Sequence, residues 1–309
     1  MESLLVVGVD TVVGANAAAS LAERYQVATW AADRRYDIPG CQALDAAELP
    51  QEIISRVRPD WILHCGPAAR SAWDQRSKAS ITDSIVEDAH QWASAAANCG
   101  ARVTMVSSDA VFTGPWMFHD EDSLGQCHSL QALTIRAAED QVREVCREAL
   151  IVRTNAFGWS PDKKKTGWLE KMLAEIEARR IVEQDHIRHA SPILATDLAD
   201  ILDRAHCERL SGIYHVSGAE RVSPLKFAQR LADQFDLPWL ALRRDATLNE
   251  PPHGFGLGEC SLQTKKIRKA LCIAMPLLSE GLARLEAQHV NGYRERLSGS
   301  STAVQVRAA

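Results

Sequence analysis

The sequence predicts an α/β protein, a Rossmann-like doubly wound parallel sheet followed by a small C-terminal substrate lobe. Three observations lead to this prediction. Short apolar runs alternate with Ala-rich helical stretches through the first half of the chain, which is the pattern of a parallel sheet covered by helices. The first run, residues 4–9, is continuously apolar, as expected of a strand buried on both faces. A turn with glycines at both ends, Gly8 and Gly14, then leads into the first helix.

The other elements follow from the same two patterns. Ser223 as N-cap, with Pro224 at the first helical position, marks the start of one helix. We predict strands over residues 4–9, 26–30, 61–65, 102–107, 150–153 and 212–216, and helices over 14–23, 85–97, 129–148, 167–179, 197–204 and 223–235, with stretches 262–267 and 276–287 completing the lobe.

These elements divide the chain into two lobes. Residues 1–160 are expected to form the dinucleotide-binding Rossmann-like domain, with parts of 180–220 returning to it. Residues 161–297 are expected to form mainly the substrate-binding lobe. The small, polar residues 298–309 are expected to be a disordered tail.

Composition excludes several classes of function. The 309 residues carry a net charge of −5, without the basic stripe of a nucleic-acid-binding protein. No apolar run approaches the roughly 20 residues of a membrane span, and the start lacks the basic region of a signal peptide. Eight scattered cysteines without a Cys-x-x-Cys motif indicate reduced thiols rather than disulfides or a zinc site. We therefore expect a cytoplasmic protein without a metal centre.

The turn after the first strand is a candidate dinucleotide loop. Such a loop takes glycine at three positions, and here Gly8 and Gly14 fill the outer two while Thr11 occupies the middle one. We expect Thr11 to crowd a pyrophosphate lying on the helix N-terminus, next to Val12. Alternatively, the two glycines serve only the turn between strand and helix.

The end of the second strand carries residues of both kinds that distinguish the two nicotinamide cofactors. Asp33 favours NAD, since an acid at this point binds a ribose hydroxyl, whereas Arg34 favours the 2′-phosphate of NADP. A solvated loop without a ligand is an equal alternative. The cofactor, NADP or NAD, therefore stays open at this point.

The strand over residues 102–107 leads to a second candidate site. Ser107 and Ser108 lie where a parallel sheet presents polar groups to a ligand, and Ser108 can donate a hydrogen bond to a carbonyl or a bound sugar. The alternative is that Ser108 and Asp109 form a turn that caps backbone groups. Residues 118–122 and 186–189 contain histidines and carboxylates, for which solvated loops are the simpler interpretation.

Several motifs in order resemble the dTDP-4-dehydrorhamnose reductase family of extended short-chain dehydrogenases, over roughly residues 4–285. The resemblance implies a Rossmann-like fold, NAD(P)H as cofactor, a nucleotide-linked 4-keto sugar as substrate, and a place beside the cofactor for Cys65 and Gly66. The motifs are Arg58-Pro59-Asp60, Ser107-Ser108-Asp109-Ala110-Val111-Phe112-Thr113-Gly114, Val152-Arg153-Thr154, Ser191-Pro192 with Asp197-Leu198-Ala199, and Gly212-Ile213-Tyr214-His215-Val216-Ser217-Gly218.

The departures from that family concern its chemistry. In register with Glu139, the family's catalytic Tyr and Lys fall at Gln131 and Ile135, and no Tyr-x-x-x-Lys occurs anywhere in the chain. Gln cannot act as a proton donor with a tunable pKa, and Ile cannot hold a cofactor ribose or lower a neighbour's pKa. Cys65-Gly66-Pro67 replaces the family's Asn-Ala-Ala.

Two hypotheses of function follow. The favoured one is a divergent family member that binds NAD(P) and a nucleotide sugar, with its reductase chemistry lost or altered. Such a protein would act as a ligand sensor or modulate a protein partner, and it could form a homodimer. The resemblance supports it, because the family includes regulatory subunits without reductase turnover. The alternative is an active oxidoreductase in which Ser108 polarises the 4-keto group and His128 or a water molecule donates the proton.

Overall fold

The computed structural model describes residues 1–74, 77–162, 167–238, 242–245 and 254–298. None of the helices within these ranges is both long and apolar enough to cross a membrane. The strands are β1 (Ser3–Val7), β2 (Gln26–Trp30), β3 (Gln42–Ala43), β4 (Trp61–His64), β5 (Arg102–Ser108), β6 (Leu150–Thr154), β7 (Ala156–Phe157), β8 (Val182–Gln184), β9 (Ile193–Leu194), β10 (Gly212–His215) and β11 (Leu242–Arg244). The helices are α1 (Val12–Leu21), α2 (Pro50–Val57), α3 (Ser77–Ser80), α4 (Ser84–Cys99), α5 (Leu130–Val145), α6 (Trp168–Glu177), α7 (Ala195–Cys207), α8 (Pro224–Gln234), α9 (Lys265–Leu271), α10 (Leu278–Val290) and α11 (Tyr293–Leu297).

Seven strands form one parallel sheet in the order β10-β6-β5-β4-β1-β2-β3. The chain order reverses between β1 and β4, and in open α/β sheets such a reversal creates a crevice at the carboxyl ends of the strands. This confirms the predicted fold class. It also places the β1–α1 turn, the end of β2 and the end of β4 around one crevice.

Both faces of the sheet are covered, which explains the continuous apolar run at the start of the chain. Leu4 and Val6 belong to the core on one face, and Leu5 and Val7 to the core on the other. Helix α1 packs against α7 on the first face, and α4 packs against α5 on the second. Alternate residues of one strand therefore contribute to two cores.

Predicted and observed elements agree in type and differ at their ends. Helix α1 begins at Val12 rather than at residue 14, because Thr11 caps it. Helix α8 is capped by the Ser223 hydroxyl, which accepts a hydrogen bond from the Lys226 amide, as predicted. We did not predict α2, whose short length leaves only Ile53 and Ile54 buried.

The C-terminal half is irregular, and part of it returns to the sheet. Strand β10 pairs with β6 at the edge of the sheet, while β11 pairs with β8 in a separate two-stranded sheet. The division at residue 160 stays a prediction. The predicted disordered tail, apart from Ser298, lies outside the described residues.

Candidate functional site

The β1–α1 turn requires glycine at both ends. Gly8 has φ +84°, and a Cβ there would lie 2.2 Å from the Cys65 carbonyl oxygen; a Cβ on Gly14 would lie 2.3 Å from the Gly8 carbonyl oxygen. Backbone contacts of this kind cannot move aside, so both glycines are needed for the packing of β1, α1 and the end of β4.

The Thr11 side chain is directed towards backbone groups of this turn, although the residue also lines the crevice. The expected crowding of a pyrophosphate stays a prediction. The side chain is 2% exposed, and its hydroxyl lies 2.8 Å from the Gly8 carbonyl oxygen and 3.1 Å from that of Cys65. It also accepts a hydrogen bond of 3.0 Å from the Gly14 amide, as a helix N-cap does. The amides of Val12 and Val13 are then the first-turn donors that the cap does not satisfy.

The predicted residues after β4 take structural roles beside this turn. Cys65 is fully buried, and burial raises the pKa of its thiol. A Cβ on Gly66 would lie 2.9 Å from the imidazole Cε1 of His64, whose Nε2 pairs with Asp88 at 3.0 Å. A side chain at Gly66 would therefore displace the His64 imidazole.

At the end of β2, the acid and the arginine have different partners. The Tyr36 hydroxyl donates to the Asp33 carboxylate at 3.1 Å. The Arg34 guanidinium pairs with Asp162 at 2.9 Å and lies over the Tyr36 ring. Asp33 is thus presented at the strand end, while Arg34 is held by a carboxylate from after β7.

A cavity of about 260 Å³ lies between these groups. Its position at the reversal of the strand order is where α/β proteins bind nucleotides. The α1 amides suit a pyrophosphate and the Asp33 carboxylate suits a ribose hydroxyl, so the residues present fit a dinucleotide. The described lining residues are Asp10, Thr11, Val12, Asp33, Tyr36, Arg70, Ser71, Asp74, Ala156, Ser160, Asp162 and Trp168.

Most of that lining was not predicted. Arg70, Ser71 and Asp74 follow β4, and Trp168 begins α6 in the second half of the chain. None belongs to a local motif. The one available signal was the rule that a parallel sheet brings the residues after neighbouring strands together.

The two serines at the end of β5 face buried protein groups. Ser107 donates to the Glu139 carboxylate at 2.5 Å, and Glu139 in turn accepts two hydrogen bonds from Arg153. Ser108 is 1% exposed and accepts a hydrogen bond from the Ala110 amide at 3.1 Å. This is the geometry of the capping turn that we considered as the alternative for Ser108.

The same turn begins a buried chain of hydrogen bonds that reaches the cavity. The Asn155 side-chain amide donates to the Asp109 carboxylate at 2.9 Å, and Ser71, which lines the cavity, donates to Oδ1 of that same amide at 2.7 Å. Burial outweighs these hydrogen bonds and raises the pKa of Asp109 to about 7. Asp109 therefore holds its proton close to neutral pH.

We expect this carboxyl to make stability depend on pH. The pKa of Asp109 is higher in the folded than in the unfolded protein. Its contribution to the free energy of unfolding is therefore fully present near pH 4 and is lost as pH rises towards about 7. Asp109→Asn should remove a slope of up to about 1 kcal/mol per pH unit. Urea unfolding at several pH values measures it, and parallel profiles for the two proteins would contradict the assignment.

Helix α5 carries no ionisable group at the two positions that correspond to the catalytic pair. Gln131 is half-buried, whereas Ile135 is 0% exposed and belongs to the core between sheet and helix. His128, the proposed proton donor, is exposed on the segment before α5, while Ser108 is buried. The structure thus gives His128 no enclosed position beside Ser108.

Of the two segments that we interpreted as solvated loops, residues 186–189 are half-buried and residues 118–122 include a buried histidine. His119 is 2% exposed, stacks on Phe112 with ring centroids 4.7 Å apart, and lies within hydrogen-bonding distance of Ser123. The segment before α9 packs against residues that follow β5: the Thr113 hydroxyl donates to the Leu257 carbonyl, and the Cys260 thiol donates to the Phe112 carbonyl. No group of three His, Cys, Asp or Glu residues in the described ranges is placed to hold a metal ion.

The parallel sheet, its order and the glycine turn define a Rossmann-like α/β protein. The model of the RmlD substrate binding domain matches residues 1–289. The chain therefore belongs to the dTDP-4-dehydrorhamnose reductase family.

Individual relatives are distant. The chain is 27% identical over 208 residues to methionine adenosyltransferase 2 subunit beta from Xenopus tropicalis, covering 65% of this chain and 61% of that protein. It thus matches about three-fifths of the length of its curated relatives. The structure of dTDP-4-dehydrorhamnose reductase from Bacillus anthracis with NADP has a TM-score of 0.75 at 19% identity, covering 93% and 100% of the two chains. MoeE5 with UDP-glucuronic acid and NAD has a TM-score of 0.72 at 16% identity, covering 94% and 99%.

Proposed function

We propose that this protein binds a nicotinamide dinucleotide, NAD in preference to NADP, and a nucleotide-linked sugar, without the reductase chemistry of a Tyr–Lys pair. The observation that carries the proposal is the face of α5, where Gln131 and the core residue Ile135 replace the two catalytic groups. The cavity beside α1 retains the groups that a dinucleotide needs. Solved relatives bound to NADP, NAD or UDP-glucuronic acid support the choice of ligands.

The preference for NAD rests on the end of β2. Asp33 suits a free ribose hydroxyl and opposes a 2′-phosphate by its charge. Arg34, the group that would attract that phosphate, is paired with Asp162. Bound at this cavity, the dinucleotide would bring a nicotinamide capable of hydride exchange; the residues of the chain bind and orient it.

Calorimetric titration with NADH and NADPH tests whether the protein binds a dinucleotide. The variant Val12→Pro tests whether the dinucleotide binds at the N-terminus of α1. The variant lacks one of the two amide donors at the α1 N-terminus, so we expect the Kd for NADH to rise about tenfold or more. Pro is well tolerated at the first helical position, and Thr11 already has the extended backbone (φ −89°, ψ 156°) that precedes Pro. The thermal midpoint should therefore be retained.

Leu130→Pro is the matched control. Leu130 is likewise the first residue of a helix, is 69% exposed, and follows an extended residue, Ser129 (φ −63°, ψ 152°). We expect NADH to bind this variant as it binds the unaltered protein. No heat and no thermal shift with either nucleotide would overturn the proposed function.

One observation, the raised pKa of Asp109, supports a second candidate function: an active oxidoreductase with a proton donor other than tyrosine. This pKa of about 7 keeps a proton next to Ser108, within a chain of hydrogen bonds that ends at the cavity. Loss of NADH absorbance in the presence of dTDP-4-dehydrorhamnose, abolished in Ser108→Ala, would establish this alternative. Binding of both ligands without turnover would support the binding protein.

We further propose a regulatory role in the cytoplasm. The relatives named as a subunit of methionine adenosyltransferase suggest that a protein of this family modulates a partner enzyme. All eight cysteines lie in described ranges and carry free thiols, which suits a reducing compartment. Sedimentation with and without NADH would reveal a homodimer or a ligand-dependent assembly.

A further inference from the structure

An ion pair joins the two loops that flank the cavity. Arg70, which follows the turn after β4, donates from Nη2 to the Asp10 carboxylate at 2.5 Å. Asp10 lies in the β1–α1 turn, directly before the cap residue Thr11 and two residues before Val12. The guanidinium is thereby held beside the N-terminus of α1, within the cavity lining.

The charges around the cavity make this position important. The described lining residues include four carboxylates, those of Asp10, Asp33, Asp74 and Asp162, and a single guanidinium, that of Arg70. A pyrophosphate carries negative charge and has to be compensated where it binds. Two helix amides supply only partial charge, whereas an arginine supplies a full charge and a planar set of donors that matches phosphate oxygens.

We propose that Arg70 binds the pyrophosphate of the ligand and that Asp10 positions it, which rests on the proposed function of this cavity. Arginine has five N–H donors in a rigid fork, so the bond from Nη2 to Asp10 fixes the orientation of the guanidinium beside the N-terminus of α1. Arg70, oriented by Asp10, thus supplies the cationic donor group for a loop whose middle glycine has become a capping threonine. Asp10 is a positioning residue because its contact is with Arg70.

Two other roles for the pair make different predictions. If the pair only stabilises the contact between the two loops, its loss lowers the stability of the protein and leaves the Kd for phosphate-containing ligands unchanged. If Asp10 competes with the ligand for Arg70, removing its charge strengthens binding. Positioning requires that removing the charge weakens binding.

The experiment is calorimetric titration of Arg70→Gln and Asp10→Asn with NADH, ADP and adenosine. For Arg70→Gln we expect the Kd for NADH and for ADP to rise about tenfold or more, with the Kd for adenosine unchanged and a smaller dependence of NADH binding on salt. For Asp10→Asn we expect a smaller rise for the same two phosphate ligands. Arg70→Lys, which keeps the charge but not the planar donors, should lie between, and provides the test if Arg70→Gln does not fold.

Arg56→Gln is the matched control, because Arg56 pairs with the Glu48 carboxylate, as Arg70 does with that of Asp10, but lies on α2 away from the cavity. It should bind all three ligands normally. An unchanged Kd for NADH in Arg70→Gln, or in Arg70→Lys where that variant takes its place, overturns this inference alone, since NADH binding and the effect of Val12→Pro would still stand. Tighter binding by Asp10→Asn overturns the positioning role, and no NADH binding by the unaltered protein overturns both proposals.

Discussion

Replacing Glu139 by Gln is expected to lower the free energy of unfolding by about 3–5 kcal/mol, one of the two largest effects that we predict. Glu139 and Arg153 are almost fully buried and share two hydrogen bonds, of 3.0 and 2.6 Å. The substitution leaves the Arg153 guanidinium buried without a counter-charge and weakens the hydrogen bond from Ser107. Urea unfolding at constant pH measures the loss.

Two further variants distinguish the loss of the buried ion pair from a general effect of replacing a charged residue. The double variant Glu139→Leu with Arg153→Met removes both charges and should recover most of the loss, because an apolar pair avoids the cost of desolvating ions. Asp140→Asn breaks an exposed pair with Arg143, 3.6 Å apart, and should cost no more than about 1 kcal/mol. A single and a double variant of equal stability would show that the buried charges do not depend on each other.

Replacing Ile135 by Lys is expected to cost more than about 3 kcal/mol. Ile135 is 0% exposed and packs in the core between the sheet and α5, so the ammonium group would have to be buried without a partner or force the helix outwards. Restoring the catalytic lysine of the family therefore conflicts with the packing of this chain. Thermal and urea unfolding measure the cost.

Leu133→Lys is the control on the same helix. Leu133 is 46% exposed, so a lysine there remains solvated and stability should change by no more than about 0.5 kcal/mol. If Ile135→Lys were as stable as this control, the α5 face would open to solvent and could hold a charged group beside the ligand. Reductase chemistry at α5 would then no longer conflict with the packing of this chain.

The candidate site could be predicted from the sequence only where one short segment sufficed. Gly8 and Gly14 were predicted because a strand–turn–helix unit requires glycine at those places, and the structure shows the backbone contacts that exclude a side chain. The capping contacts of Thr11 were not predicted, since its hydroxyl can turn either to a ligand or to its own backbone. The rotamer depends on the Cys65 carbonyl, which another strand supplies.

Arg70 illustrates what sequence reasoning missed. No motif marks it, and its partner Asp10 is remote along the chain. Arg34 shows the same limit in another way: by its residue type it favoured the 2′-phosphate of NADP, while Asp33 favoured NAD, and its ion pair with Asp162 was not predictable. Such pairs form only once the strand order has brought the two loops together.

The sequence by itself determined the fold class, the family and the absence of the catalytic pair, because these are recorded in apolar periodicity, short motifs and residue identity along the chain. The tertiary structure alone decided that Ser108 caps a turn, that Ile135 is core and that Arg70 lies at the cavity. Burial and ion pairing depend on which segments meet at the carboxyl edge of the sheet. That choice is made by packing across the whole chain, so no local pattern contains it.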